Sequence, residues 1–141
     1  MRKNQKGFTL VELIVVLVIL AILAAMLVPA LLGYIDKARD GKYVEEVHSI
    51  YTAAQVIGDE RYAKNSDDSN GFDSKPIDPD KELGEINKMV APAVVTSISI
   101  KAKGTASHDA FTISNLVVKY SSQDGTEMNG KLEDGAVTTW K

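Results

Sequence analysis

Glu12 is the residue most in need of an explanation. It stands at the head of the most apolar part of the chain, since no charged residue occurs from Leu13 to Leu32. A carboxylate in that setting is costly unless a partner meets it. Just upstream come Gly7 and Phe8, preceded by Arg2, Lys3 and Lys6. The other groups able to do chemistry are scattered. Asp67, Asp68, Asp73, Asp78 and Asp80 fall in "KNSDDSNGFDSKPIDPDK", and clustered oxygens are what calcium takes. An EF-hand loop, however, needs D-x-[DN]-x-[DN]-G and a closing glutamate. Alignment on Gly71 puts Ser66 first and Ile77 last, so the match fails and the segment reads as a solvated acidic loop. His48 and His108 are far apart, and each reads as a surface or internally satisfied residue. The chain has no G-x-S-x-G, P-loop or Rossmann glycine pattern. These residues nominate no catalytic group, no metal and no cofactor.

The totals narrow the field. The chain has 141 residues, one domain's worth. Its net charge of -3 and pI near 5.4 argue against nucleic-acid binding by a basic surface. With no cysteine it has no disulfide framework, thiolate metal site or thiol nucleophile. Aromatics make up 6% of the chain, and several are needed for a core, which leaves little for an electron-carrying stripe.

The elements around Glu12 follow from patterning. Leu13 to Leu32, at about 1.5 Å per helical residue, spans about 30 Å, the thickness of a bilayer's hydrocarbon core. The basic residues before it place that end in the cytoplasm and the rest outside. A secretory signal has a shorter apolar core, of about 7–15 residues, and then a small-residue cleavage site. A plain signal anchor is the simple alternative. Pro29 predicts a kink. Ala21, Ala24 and Ala25 favour helix and leave a small-residue face for close helix contact.

From Tyr34 to about Tyr62 the pattern turns amphipathic. Val44, Val47, Tyr51, Ala54 and Ile57 recur at spacings of three and four, with Ile50 beside them and Glu45, Glu46, Asp59 and Glu60 on more polar faces. The spacing predicts one long helix from near Phe8 to near Ile57, with Gly58 as its stop. A short helix follows from Lys81 to Val90. Val94, Thr96, Ile98 and Ile100 alternate with Val95, Ser97, Ser99 and Lys101, a period of two as in a strand. A second β region covers Ala110 to Tyr120, with a phase change at Ser114-Asn115 that suggests a bulge. Asp124-Gly125, Asn129-Gly130 and Asp134-Gly135 are turn signals, and Ala136 to Trp140 reads as a last strand. The fold class is α+β: a long N-terminal helix, amphipathic in its second half, packed on a small antiparallel sheet.

The stretch "KGFTLVELIVVLVILAILAAMLVPALLGYIDKARD" closely resembles the N-terminus of type IV prepilins with the short leader of the type IVa class. The resemblance is specific from Lys6 to about Asp40 and architectural beyond. It implies that a prepilin peptidase cuts between Gly7 and Phe8 and N-methylates Phe8. Residues 1–7 are then a leader peptide, 8–33 a transmembrane and later filament-core helix, and 34–141 a globular pilin head. Cleavage would create an amine at Phe8, and Glu12 lies one helical turn away, roughly 6 Å along the axis. Glu12 could pair with its own Phe8 amine or with that of a neighbouring subunit; the resemblance favours the neighbour, making Glu12 and Phe8 assembly residues. Pro29 becomes a bend that matters in packing. Many Gram-negative pilins close their C-terminal region with a disulfide, which this chain cannot; cysteine-free pilins resemble those of Gram-positive bacteria, especially clostridia.

The implied function is a structural, non-enzymatic subunit of a type IV pilus serving adhesion, twitching motility, biofilm formation or DNA uptake. The implied partners are copies of itself in a helical filament, the prepilin peptidase, the pilus assembly platform, and the inner membrane before export to an extracellular fibre; nucleic acid is not expected to bind the chain itself. The alternatives are a major pseudopilin of a type II secretion or competence system, and a signal-anchored extracytoplasmic enzyme or interaction domain.

Overall fold

The computed structural model describes residues 7–65, 79–103 and 112–141. The leader residues 1–6, Asp67, Asp68, Asp73, Asp78 and the turn at His108 lie outside these. The chain divides into two compact units, Met1–Arg39 and Asp40–Lys141.

The first unit is the start of helix α1, Leu10–Asn65. Leu, Ile, Val and Ala fill it, and the helix continues through Pro29 and Gly33. Pro29 offers no N–H to the carbonyl one turn back, so the ladder there lacks a rung. Every side chain from Leu10 to Leu32 is exposed. The most apolar window of the helix has a mean hydropathy of 3.2 and is not buried at all. An apolar surface that continuous requires lipid or other helices around it.

The second unit holds the core. The remainder of α1 contributes Val47, Ile50, Ala54 and Ile57, all buried, at the spacing that puts residues on one face. Val44 and Tyr51 are only half-buried, and Tyr43 and Ala53 complete the stripe. The helix does not stop at Gly58, which is buried inside it. A glycine costs a helix interior only about 1 kcal/mol and ends it only where the backbone turns left-handed. The extension carries Arg61, whose side chain pairs with Glu82 of α2, Pro79–Val90. Glu46 is also unlike its expectation: it is 6% exposed rather than on a polar face.

Four antiparallel strands form a meander in the order β1-β2-β3-β4: Val94–Ala102, Ile113–Ser121, Glu127–Glu133 and Ala136–Trp140. Two bulges set which residues face α1. In β1, Val95 pairs with Tyr120 and Ser97 with Lys119, leaving Thr96 as the extra residue. The phase therefore shifts: Val95 is buried, and Val94, expected in line with Ile98, is 49% exposed. In β2 the extra residue is Ser114, where the sequence placed a phase change; its hydroxyl donates to the Lys101 and Ala102 carbonyls at 3.0 and 3.2 Å.

Two of the three turn signals are turns. Gly125 has φ 81 in the β2–β3 turn. Asp134 and Gly135, at φ 50 and 80, form the two-residue hairpin between β3 and β4. Asn129-Gly130 is not a turn. It lies inside β3, a strand the sequence did not announce. A Cβ on Gly130 would stand 2.3 Å from Val47 Cγ2, so the glycine is there because α1 crosses the sheet at that point. Hydrogen bonds fix the crossing: Tyr120 OH donates to the Tyr43 carbonyl at 3.1 Å, and Ile113 N donates to Gln55 Oε1 at 2.9 Å.

Candidate functional site

Gly7 and Phe8 precede the first turn of α1, and Phe8 is 85% exposed. Among the described residues no atom stands within 4 Å of where a Gly7 Cβ would lie, so none of them covers the backbone at that point. Thr9 is the helix N-cap. Its N–H and its hydroxyl both donate to Glu12 Oε2, each at 2.8 Å, and its Oγ1 accepts the Glu12 N–H at 3.3 Å. This is a reciprocal capping box. It satisfies donors that a helix start otherwise leaves unpaired, and the carboxylate lies near the positive end of the helix dipole. Glu12 Oε1 takes no part in the box.

The structure thus places Gly7 and Phe8 just ahead of the first helical turn, which holds Glu12, and leaves Pro29 well down the helix. It adds Thr9, which the expectation of an amine partner overlooks. The signal was in the sequence, as T-x-x-E ahead of an apolar run. What the cluster can do chemically is limited and definite. It presents an exposed glycine backbone, a free apolar side chain, and a carboxylate with one oxygen outside the cap.

Among the described residues, no group of three or more His, Cys, Asp and Glu side chains could hold a metal ion. His48 is exposed beside Thr52, Ala53 and Met89. Asp124 is held down to about 2, first by hydrogen bonds from Thr126 and then by the Tyr43 hydroxyl. Burial, and after it the charge of Glu46, raises the Tyr120 phenol. Lys131 lowers Glu133.

One comparison with known proteins falls on the same segment. Residues 2–28 match the family model described as "Prokaryotic N-terminal methylation motif". The chain is similar to "Type II secretion system core protein G" of Klebsiella michiganensis, 36% identical over 55% of this chain and 56% of that one. It is similar to a "Fimbrial protein" of Pseudomonas aeruginosa, 43% identical over 38% of this chain and 34% of that one. It is also similar to "Type IV wide pilus major component PilA4" of Thermus thermophilus, 55% identical over 27% of this chain and 29% of that one. The matches span about half the length of the first of these relatives and about a third of the others. No solved structure matches the chain.

Proposed function

We propose that this chain, which is type IV pilin-like in its N-terminal motif and its helix-on-sheet fold, is a structural subunit of a pilus or pseudopilus. One observation carries the reading. An accessible Gly7-Phe8 peptide and a capped carboxylate at Glu12 stand at the head of a fully exposed, charge-free helix. Such a helix is stable in two settings, a bilayer and a bundle of its own kind, and moving from one to the other needs no refolding.

In this reading a membrane peptidase removes residues 1–7 and leaves the helix, with an N-methylated amine on Phe8. The helix holds the chain in the membrane with the head outside until assembly. In the filament Glu12 meets the Phe8 amine of a neighbouring copy, offering the oxygen that Thr9 does not use. That ion pair offsets the cost of placing a carboxylate among apolar helices. Pro29 marks where α1 adapts to the bundle.

A pseudopilus subunit of a secretion system is favoured by one observation of its own, the type II secretion core proteins among the relatives. The test serves both readings. Material sheared from cells is analysed by intact mass and N-terminal sequence. A chain starting at N-methyl-Phe8 in long fibres supports the pilus; the same chain confined to the membrane supports the pseudopilus. A chain starting at Met1, or cut well beyond Leu32, removes both.

A further inference from the structure

The sheet has two outer edges, and the fold treats them differently. The β1 edge is covered. Asn87 of α2 acts there as a strand would: its Nδ2 donates to the Val95 carbonyl at 3.1 Å, and its Oδ1 accepts the Val95 N–H at 2.7 Å. The bulge at Thr96 then kinks the same edge. Both devices keep a strand from pairing with other chains. β4 has neither. Ala136–Trp140 carries no charge and no proline, and its ladder with β3 runs without a register shift. Among the described residues β3 is its only strand neighbour. Valine and two threonines fill its middle and tryptophan its end, residue types that favour strands.

The β3–β4 register says which backbone groups of β4 face outward. The two-residue turn at Asp134 and Gly135 makes Glu133 and Ala136 a hydrogen-bonded pair, and such pairs alternate along an antiparallel ladder. Ala136, Thr138 and Trp140 therefore turn their N–H and C=O groups toward β3. Val137 and Thr139 turn theirs to the open edge. The side chains alternate as well. Val137 and Thr139 lie on the α1 side with their partners Leu132 and Gly130, whereas Ala136, Thr138 and Trp140 lie on the outer face, Trp140 being 46% exposed.

We propose that this edge pairs with β4 of a second copy of the chain, antiparallel and about a twofold axis at Thr138. In that register Val137 lies opposite Thr139 of the second copy, and Thr139 opposite its Val137. Each such pair exchanges both hydrogen bonds, so every outward N–H and C=O of the two residues is used. The order of side chains suits self-pairing. On the outer face Trp140 comes opposite Ala136 of the second copy, the largest side chain of the strand against the smallest. One residue further on, Lys141 comes opposite Gly135 and beside Asp134 of the second copy, cation to anion, with no like charges opposed. β1 of a second copy is the poorer partner, because Asn87 already holds its edge at Val95. One strand pair is small beside the about 1,200 Å² of a stable interface, so it is weak between single heads and adds up where many copies lie in line. Copies drawn from one membrane into one fibre follow one another by a screw operation, which makes heterologous contacts; an isologous contact therefore joins subunits of different fibres. That consequence rests on the filament reading, and the pairing itself does not.

The chain has no cysteine, so single engineered cysteines report cleanly. At the twofold the two Thr138 residues form a non-hydrogen-bonded pair with Cα atoms about 4.5 Å apart, within the about 4.4–6.8 Å that a disulfide spans. The pairing runs through backbone, so Thr138→Cys leaves it in place. Full-length chain carrying Thr138→Cys is oxidised in detergent and in sheared fibres, beside Ser99→Cys, which is exposed on β1 and measures random collision. A disulfide dimer forming about tenfold or more faster than with Ser99→Cys, and slowed as much by adding Thr139→Pro, supports the proposal. Thr139→Pro removes an outward N–H and no bond to β3, and thermal unfolding checks that its head stays folded. Lys141→Glu, at an exposed position beyond β4, should slow the dimer severalfold at low salt with the fold untouched. Thr138→Cys linkage no faster than Ser99→Cys in both materials overturns the pairing, and fibres that still form then leave the filament reading standing. Linkage in detergent but not in fibres overturns the contact between fibres. Linkage in detergent where no fibres form keeps the pairing and counts against the filament. A disulfide to a polypeptide of another mass gives the edge to a different protein and overturns self-pairing.

Discussion

Gly130→Ala puts one methyl group where α1 meets the sheet. The new Cβ would lie 2.3 Å from Val47 Cγ2 and 3.2 Å from Val118 Cγ1. Carbon atoms pack at about 3.5–4.0 Å, so the first contact is short by more than about 1 Å. Val47 is fully buried and cannot swing aside, and Gly130 is held in register opposite Val118 and Thr139. The helix must retreat, and a gap of about 0.5–1 Å already forfeits a quarter to a half of each facing contact. Overpacking of this kind costs about 1–3 kcal/mol, and the rigid surroundings place this case near the upper end. For a domain of about 100 residues that lowers Tm by roughly 10–20 °C. The assay is thermal unfolding of the full chain in detergent, followed by the near-ultraviolet signal of the head tyrosines. Val47→Ala supplies the control, since removing both Cγ atoms makes room for the new methyl. The double variant should be more stable than the summed single effects by about 1 kcal/mol or more. A Gly130→Ala chain within about 0.5 kcal/mol of the parent, the range of an ordinary surface change, or strict additivity with Val47→Ala, would refute the argument.

Further outcomes follow from the same geometry. Thr9→Ala removes the cap and should cost the first turn about 1 kcal/mol, read as faster amide exchange at Val11 and Glu12; Thr9→Ser should restore protection. Glu12→Ala should leave cleavage after Gly7 intact and block incorporation into filaments, and normal filaments from that variant would dismiss its assembly role. Asp124 titrates near 2 in the fold, below its ordinary 3.8, so the folded state binds fewer protons between those values. Its contribution is complete above about pH 4 and disappears as pH falls through about 2. Asp124→Asn should therefore flatten the acid limb of the stability profile, and an unchanged slope would show that Thr126 and Tyr43 do not stabilise the carboxylate.

What could be read in advance was local. The apolar span, the T-x-x-E cap, the Ser114 phase change and the Asp134-Gly135 hairpin each reside in a few consecutive residues. What could not be read was distant. Asn129-Gly130 has the composition of a turn, and only Val47, more than eighty positions earlier, makes it a strand glycine. Glu46 looks like a surface residue until Ser122 and Gln123, just after β2, turn donors toward it. The Thr96 bulge, which exchanges Val94 for Val95 in the core, depends on how Tyr120 and Lys119 present themselves across the ladder. Gly58 failed as a stop for a similar reason, since its burial against the head outweighs its weak helix propensity.

The same division explains why the N-terminal site was legible and the cleft beside Glu46 was not. In the proposed processing a peptidase reads a short stretch of backbone, so the information must lie in neighbouring residues, and a helix cap must lie within one turn of the helix it closes. Contacts between heads have no such constraint. A cleft is likewise built from whichever residues the fold brings together, here Lys42, Glu46 and Ser49 from one element and Gln123 from another. An anchor handled by shared machinery would be held to one design, while a head would answer only to its own neighbours. On that argument, transplanting Gly7 to Leu32 between such chains should preserve cleavage at the glycine, whereas exchanging heads should change which copies assemble together. Mixed filaments forming freely between chains with unlike heads would place subunit choice in the helix instead.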